Sequence, residues 1–426
     1  MSSKSAQDRD DRDLARPGGI RSRSELTALK MLILVFVAIS VLLPVTVHTQ
    51  SFKEAPAGFD GRSNGFVSLP QFKRDQGIFE QREEVEDGLG PVYNAQSCAE
   101  CHQSPQTGGS SQVTELRAGH YNRETFIEHP GGSLIHDRAI NPSVQERLMA
   151  GYEVLAVRAS VSTLGDGFVE CIDDSLLIAI SKIQPPNMRG QVIQVPVLEA
   201  DGALRVGRFG WKNQHASLLS FSADAYLNEM GITSELKPEE NGPLGQLVGL
   251  FDRVPDPEDD DGDTETFARF MRATKVPPRG PGAESSLIPI PEVVLGSALF
   301  DGLQCGTCHV RTLFTAPAGT VINGGTFTVP EALGSKIIHP YSDFLLHDVG
   351  TGDGIVQNGG YSTRNKTRTA PLWGLRARNR FMHDAASYSL IAAIRRHKGE
   401  ATDVTRNFER LRDAQKNQLV AFLLSL

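Results

Sequence analysis

Gln96–Pro105 reads QSCAECHQSP, and Leu303–Thr312 reads LQCGTCHVRT; both contain Cys-x-x-Cys-His. Together they use four of the five cysteines in a chain of 426 residues. Four chemistries compete for such a pattern. A zinc site assembled from Cys98, Cys101, Cys305 and Cys308 would need two halves that are usually about 15–20 residues apart, and here they are far more distant. A redox dithiol of thioredoxin type needs a strand–helix context that neither motif shows. A disulfide across a two-residue gap is strained and closes almost no loop. Covalent attachment of c-type haem is the reading that explains why His102 and His309 follow the second cysteines directly. Both thiols add to the porphyrin vinyl groups, and the adjacent imidazole is placed under the iron as proximal ligand. Two haems are therefore expected, held by Cys98/Cys101/His102 and Cys305/Cys308/His309.

The beginning of the chain agrees with that chemistry, which in bacteria belongs outside the cytoplasm. Residues 1–30 are polar, with Arg21, Arg23 and Lys30 ahead of an apolar run from Met31 to Val47. Positive charge on the N-terminal side of such a run directs the downstream chain outward. The run is short for a membrane span and long for a signal-peptide core, so a cleaved signal and an inner-membrane anchor over 31–47 both fit. A periplasmic or otherwise exported protein is expected. The net charge of −8 argues against nucleic acid as a partner.

Each motif is approached by a predicted helix containing phenylalanine, LPQFKRDQGIFEQ before the first and IPEVVLGSALFDG before the second. Between them, QVIQVPVLEADGALRVGRFGW alternates around Asp201–Gly202 and predicts a β-hairpin. YEVLAVRASV predicts another strand, and TETFARFMRAT a short helix with Phe267, Phe270 and Met271 on one face. The breaker cluster VPPRGPGAE and the acidic run DPEDDDGD place a linker over 255–289. This gives a tail and signal or anchor segment at 1–50, a first haem domain at 51–254 and a second at 290–426. Asp259, Asp261 and Asp263 alternate as calcium ligands do, but no bidentate Glu stands at the expected place, so a solvated acidic loop is the preferred reading. Near the C-terminus, Phe408, Leu411, Leu419, Phe422, Leu423 and Leu426 fall near one face of a predicted closing helix. Cys171 is expected to be a small buried apolar residue.

From about Gly58 onward the chain resembles the di-haem oxidoreductase family, relatives of the di-haem cytochrome c peroxidases. The resemblance is carried by VYNAQSCAECHQSP, VGRFGWKNQHASL, NEMGITSE, CGTCHV, YSDFLLHDVG, TAPLWGL and RFMHDAASYSLIAAIRRHKGEA. It departs where the family has H-D-G-R-A and this chain has His383-Asp384-Ala385-Ala386. The resemblance implies a mainly α fold of two cytochrome-c-like domains with one haem each, here with the β-hairpin inserted in the first. It also implies that His397, fourteen residues after His383, is the distal ligand of the haem anchored by His309. It further suggests that Trp211 lies between the haems, although a tryptophan packed as core fits the residue equally well.

For the first haem the sequence leaves the sixth ligand open among His120, His129, His136, Met230 and none. Gln214 and His215 are candidates for the polar side of a peroxide pocket, His215 as acid–base and His347 as second choice. The expected function is an exported di-haem peroxidase that passes electrons from the C-terminal to the N-terminal haem to reduce hydrogen peroxide or another small oxidant. An electron-donor protein such as a small cytochrome or a cupredoxin is expected as partner. A di-haem oxygenase or oxidase acting on an organic or protein substrate, and a non-catalytic electron carrier, are the alternatives.

Overall fold

Pro70 and Pro291 stand in the first turns of two helices of equal length, α1 (Leu69–Glu80) and, later in the chain, a helix over Pro291–Gly302. Proline suits that position because its missing N–H is one the helix cannot use. Each helix then leads into a Cys-x-x-Cys-His turn. The computed structural model describes residues 51–246, 248–281 and 290–426; the apolar run at 31–47 lies outside them. No helix among the described residues is long and apolar enough to cross a membrane.

After the first motif comes a four-stranded antiparallel sheet of β1 (Thr114–Asn122), β2 (Thr125–Glu128), β3 (Leu134–Ile135) and β4 (Val154–Ala159). Only β4 was expected from the sequence. The expected hairpin is present as β5 (Gln194–Val197) and β6 (Ala203–Val206). Its turn needs Asp201 and Gly202 in the left-handed region, with φ of 50° and 77°. Asp and Gly are the residues that tolerate this conformation.

Helix α2 (Leu218–Ala225), capped by the Ser217 side chain, runs on into a π-helical turn, Tyr226–Met230. Helix α3 (Asp263–Ala273) buries Phe267, Phe270 and Met271, the face that periodicity predicts. That packing corrects the expectation of a linker over 255–289. Phe267 and Phe270 pack on Phe79 of α1, so α3 belongs to the core around the first motif. The expected calcium ligands are also otherwise used. Asp259 accepts hydrogen bonds from the Asp263 and Thr264 amides and so caps α3, while Asp260 and Asp261 are exposed.

The C-terminal half contributes α4 (Pro291–Gly302), α5 (Leu390–Arg396), α6 (Thr402–Glu409) and α7 (Asp413–Leu423). The predicted closing helix is thus two, because Arg412 and Gln415 form a capping box that starts α7 afresh. Phe408, Leu419, Phe422, Leu423 and Leu426 are buried with Val293 and Phe300 of α4. A second, larger core joins Phe72, Phe79 and Phe168 to Leu313, Phe344 and Trp373 from the far side of the expected boundary. Each such phenylalanine contributes about 1.5–3 kcal/mol by leaving water. Residues Ser51–Leu426 accordingly form one compact unit. Cys171 is wholly buried in the larger core, as expected.

Candidate haem sites

One helical turn, Cys98–Cys101, carries the first motif, with His102 at its C-cap. Residues three apart in a helix share a face, so both thiols look the same way. The His102 Nδ1 lies 3.3 Å from the Gly109 carbonyl, and the ring meets Phe79 edge-on at 6.3 Å. The loop that brings Gly109 back requires glycine there, since a Cβ would stand 2.0 Å from the Ser104 carbonyl oxygen.

The second motif is a 3-10 turn, Cys305–Thr307, followed by Cys308 and His309. Here Nδ1 of His309 lies 2.9 Å from the Tyr341 carbonyl. Across from it, His397 ends α5 with its own Nδ1 2.8 Å from the Ala393 carbonyl. A backbone carbonyl at Nδ1 fixes the proton there and leaves Nε2 as a bare lone pair. The two ring centres are 6.4 Å apart. Imidazoles bonded to opposite sides of one metal ion at about 2.0 Å have ring centres about 6.3 Å apart. Burial holds both rings neutral, pushing His309 down to about 4 and lowering His397.

Between and around these rings lies a cavity of about 660 Å3. That is within the usual range for cofactor pockets, about 300–1,000 Å3. Phe300, Leu372, Leu375, Leu390, Leu419 and Leu423 supply apolar walls, and Arg368 and Arg378 also line it. Burial lowers both guanidinium groups, to about 10, and neither has a carboxylate partner at ion-pair distance among the described residues. Apolar walls, two opposed imidazoles, two adjacent thiols and unneutralised cations fit a porphyrin with its propionates. They do not fit zinc: the four motif cysteines form no joint cluster among the described residues, and all are free thiols. Burial pushes Cys101 and Cys305 up to about 12 and Cys98 higher still, so the thiols stay protonated.

The same cavity extends to Trp211 and His383 and on to Gln103 and Ser104, directly after the first motif. Trp211 donates its Nε1–H to the Ala159 carbonyl at 2.7 Å, and its ring meets His383 at 6.0 Å. Gln214 and His215 do not line this cavity. The Gln214 Oε1 accepts from the Lys212 amide, while His215 is stacked on Phe221 with its Nε2 3.0 Å from Asp224. His347 does line it, close to Cys308, but both of its nitrogens face carboxylates, Asp343 at 2.9 Å and Glu400 at 2.6 Å. Despite burial those partners push it up to about 12, so it is a locked imidazolium without a lone pair to offer.

Two of the candidates for the first haem's sixth ligand, His136 and His129, have similar commitments. His136 has Nδ1 on Glu146 and Nε2 on the Asn228 carbonyl. His129 lies 3.2 Å from the same Glu146, and its Nε2 accepts from the Met149 amide. His120 meets Tyr152 edge-on, and Met230 is buried in the larger core. Among the described residues the ring in contact with His102 is that of Phe79, and no second histidine faces it.

Glu115 and Glu229 had no sequence signal. Strand β1 presents Glu115, the π-helical turn presents Glu229, and their carboxyl groups hydrogen-bond one another. Arg117 donates to Glu115 at 2.8 Å, and Asn94 to Glu229 at 3.1 Å. Burial pushes both carboxyls up. At Glu115 the Arg117 guanidinium outweighs it and holds the group ionised, whereas at Glu229 the charge on Glu115 adds to burial and keeps the proton on. Both carboxylates act electrostatically on Cys101. The Glu115 side chain keeps 22 % of its surface open.

No curated protein matches the chain. Among solved structures, a Kuenenia stuttgartiensis hydrazine synthase pressurised with xenon is 13 % identical, covers 88 % of this chain and 90 % of its own, and has a TM-score of 0.39. A MauG-like protein associated with microbial copper homeostasis is 12 % identical, with 90 % and 95 % covered and a TM-score of 0.39. The diheme peroxidase BthA from Burkholderia thailandensis is 14 % identical, with 88 % and 94 % covered and a TM-score of 0.38. The family described as "Di-haem oxidoreductase, putative peroxidase" matches residues 135–426, and the chain belongs to that family of oxidoreductase enzymes.

Proposed function

We propose that the protein reduces hydrogen peroxide, with a reactive haem bound covalently at Cys98, Cys101 and His102 and a relay haem at Cys305, Cys308, His309 and His397. The supporting observation is an asymmetry. At the second motif two neutral imidazoles face each other across the space of one metal ion, while His102 has no opposing histidine among the described residues. When bound, haem would supply an iron that stores electrons and reduces peroxide.

The chain's own residues divide the remaining work. His309 and His397 would hold the relay haem, and Arg368 and Arg378 in the wall of its cavity would offset the negative charge of its propionates. Trp211 stands in the cavity wall that runs from the relay site toward the first motif. Reduction of H2O2 to two waters takes up two electrons and two protons. Glu115, ionised beside Arg117, accepts the proton of the inner oxygen, and Glu229 donates one to the departing outer oxygen. His215 is released from the role its sequence suggested, because Asp224 already occupies its Nε2. Electrons enter at the C-terminal half from a small cytochrome or a cupredoxin. The apolar run at 31–47 fits a periplasmic protein, where covalent haem attachment takes place.

Optical and paramagnetic-resonance spectra of the resting and half-reduced protein test this reading, with peroxide added to each. One low-spin and one high-spin haem are expected, with rapid change at the high-spin one. Glu229→Gln should slow peroxide turnover about 10²–10⁴-fold and leave both spectra intact. Two low-spin haems, inert to peroxide in both states, would leave an electron carrier instead.

A further inference from the structure

His347 belongs to YSDFLLHDVG but has no lone pair to offer, so peroxide chemistry leaves it without a role. Its ring is 2 % exposed, and each nitrogen faces a carboxylate oxygen: Nε2 lies 2.9 Å from Asp343 and Nδ1 2.6 Å from Glu400. Carboxylates accept, so both nitrogens donate, and the ring bridges two acids from distant parts of the chain. Each acid is tied in turn to the segment that carries one of the two facing imidazoles. The Asp343 amide donates to the Cys308 carbonyl at 2.9 Å and the Ser342 amide to the Val310 carbonyl at 3.0 Å, so this loop grips the second motif on both sides of His309. Gln184 closes the same join, donating to Asp343 Oδ2 at 2.7 Å and to the Thr307 carbonyl at 2.8 Å. Glu400 stands three residues after His397. Its Oε1 accepts from the Asp348 amide at 3.0 Å, and its own amide donates to the Asp348 carbonyl at 2.9 Å. The Lys398 amide adds a bond to the Val349 carbonyl at 2.7 Å. Two glycines let these backbones meet. A Cβ on Gly399 would stand 2.3 Å from the Asp348 carbonyl oxygen, and one on Gly350 2.6 Å from the Lys398 Cβ.

We propose that Asp343, His347 and Glu400 form a clasp that positions His397, fixing the segment that bears it against the segment that bears His309. His347 and Glu400 are then positioning residues for the C-terminal haem, and LLHDVG and HKGE are the two halves of one fastening. The proposal rests on His309 and His397 being the axial pair of that haem, and it is independent of the oxidant that the enzyme reduces. The bonds from His309 to the Tyr341 carbonyl and from His397 to the Ala393 carbonyl aim each ring. Neither of them joins one ligand segment to the other; the triad does. A buried, hydrogen-bonded charge bridge suits that task, because taking out one member leaves the others unpaired in a dry interior and the join gives way. Outer partners of this kind commonly set how firmly a metal ligand is held.

The test uses the full-length, haem-loaded protein. Paramagnetic resonance of the ferric form and carbon monoxide titration of the fully reduced form are the readouts, with the melting temperature recorded beside them. In the parent the C-terminal haem should give a bis-histidine signal and bind CO only weakly. Glu400→Ala opens the clasp on its more exposed side, and His347→Gln removes the bridge. In each, CO should bind at that haem about 10–100-fold more tightly as His397 gives way, and the bis-histidine signal should lose intensity. Glu400→Gln keeps an acceptor for the Asp348 amide and a donor for the His347 ring, so it should behave as the parent does. Arg395→Ala, which cuts an exposed ion pair to Glu409 from the same helix, should also leave CO binding unchanged. If His347→Gln fails to fold, Glu400→Ala decides alone. Tight CO binding at the C-terminal haem of the parent would overturn the axial pair and the clasp together. Unchanged binding in Glu400→Ala, or an equal rise in Arg395→Ala, overturns the clasp and leaves the axial pair standing.

Discussion

Asp353 is 2 % exposed and lies between two cations, 2.8 Å from Arg158 and 3.0 Å from Lys212, which are themselves buried. Burial alone would raise its pKa, but the two cations outweigh it and hold the carboxylate ionised. Such a group is worth little as a net contribution and much as a neutraliser, because removing it leaves two charges in a dry interior. Asp353→Asn should therefore destabilise the protein by about 3–5 kcal/mol in denaturant unfolding. A loss under about 1 kcal/mol would show that the pair relaxes to water. Nothing in the sequence marked this residue, and the same is true of Glu115 and Glu229. Asp353 meets Arg158 and Lys212, and Glu115 meets Glu229, across long stretches of chain, so no spacing encodes these pairs. His102 and His309 were legible for the opposite reason: thioether attachment and axial ligation need residues that are neighbours in sequence. His215 and Gln214 look polar and available in the sequence, and only the fold shows Asp224 and Lys212 using them.

Between α4 and α7 the close contact depends on Gly296. A Cβ there would stand 2.0 Å from the Gln418 carbonyl oxygen and 2.7 Å from the Phe422 Cβ. Gly296→Ala gains helix propensity, about 1 kcal/mol, yet forces the helices apart. The expected result is a net loss, read as a lowered melting temperature, together with a perturbed absorbance of a haem bound in the cavity that Leu419 and Leu423 line. The acidic loop makes a second prediction at this scale. Burial and neighbouring acids push Glu240 up to about 9 and Glu258 up to about 8. Between about pH 4.5 and these values the folded state keeps protons that the unfolded chain has lost, so stability falls as pH rises through that window. The melting temperature should drop from about pH 5 to about pH 9, and Glu240→Gln should make that drop shallower. Elements with a strong local signal, such as the Asp201–Gly202 hairpin and the amphipathic α3, were readable in advance. The four-stranded sheet was not, since β2 and β3 are too short to show a period, and their pairing with β1 is decided by tertiary contact.

At the scale of the whole molecule, two similar pentapeptides are given different surroundings, and the difference is what a peroxidase needs. The second motif faces His397 across an apolar cavity, while among the described residues the first faces no histidine and has a proton-sharing carboxyl pair nearby. Two nitrogen ligands favour ferric iron, whereas a thioether in place of one raises the reduction potential. His397→Met should therefore raise the potential of the C-terminal haem in a redox titration and leave the N-terminal one where it was. Turnover with a donor protein should fall, because an electron held more tightly at the relay is passed on less readily. The direct reaction of peroxide with the fully reduced protein should persist. Equal shifts at both haems would mean that His397 serves the pair as a structural element, and an unmoved C-terminal potential would mean that the facing imidazoles share no iron.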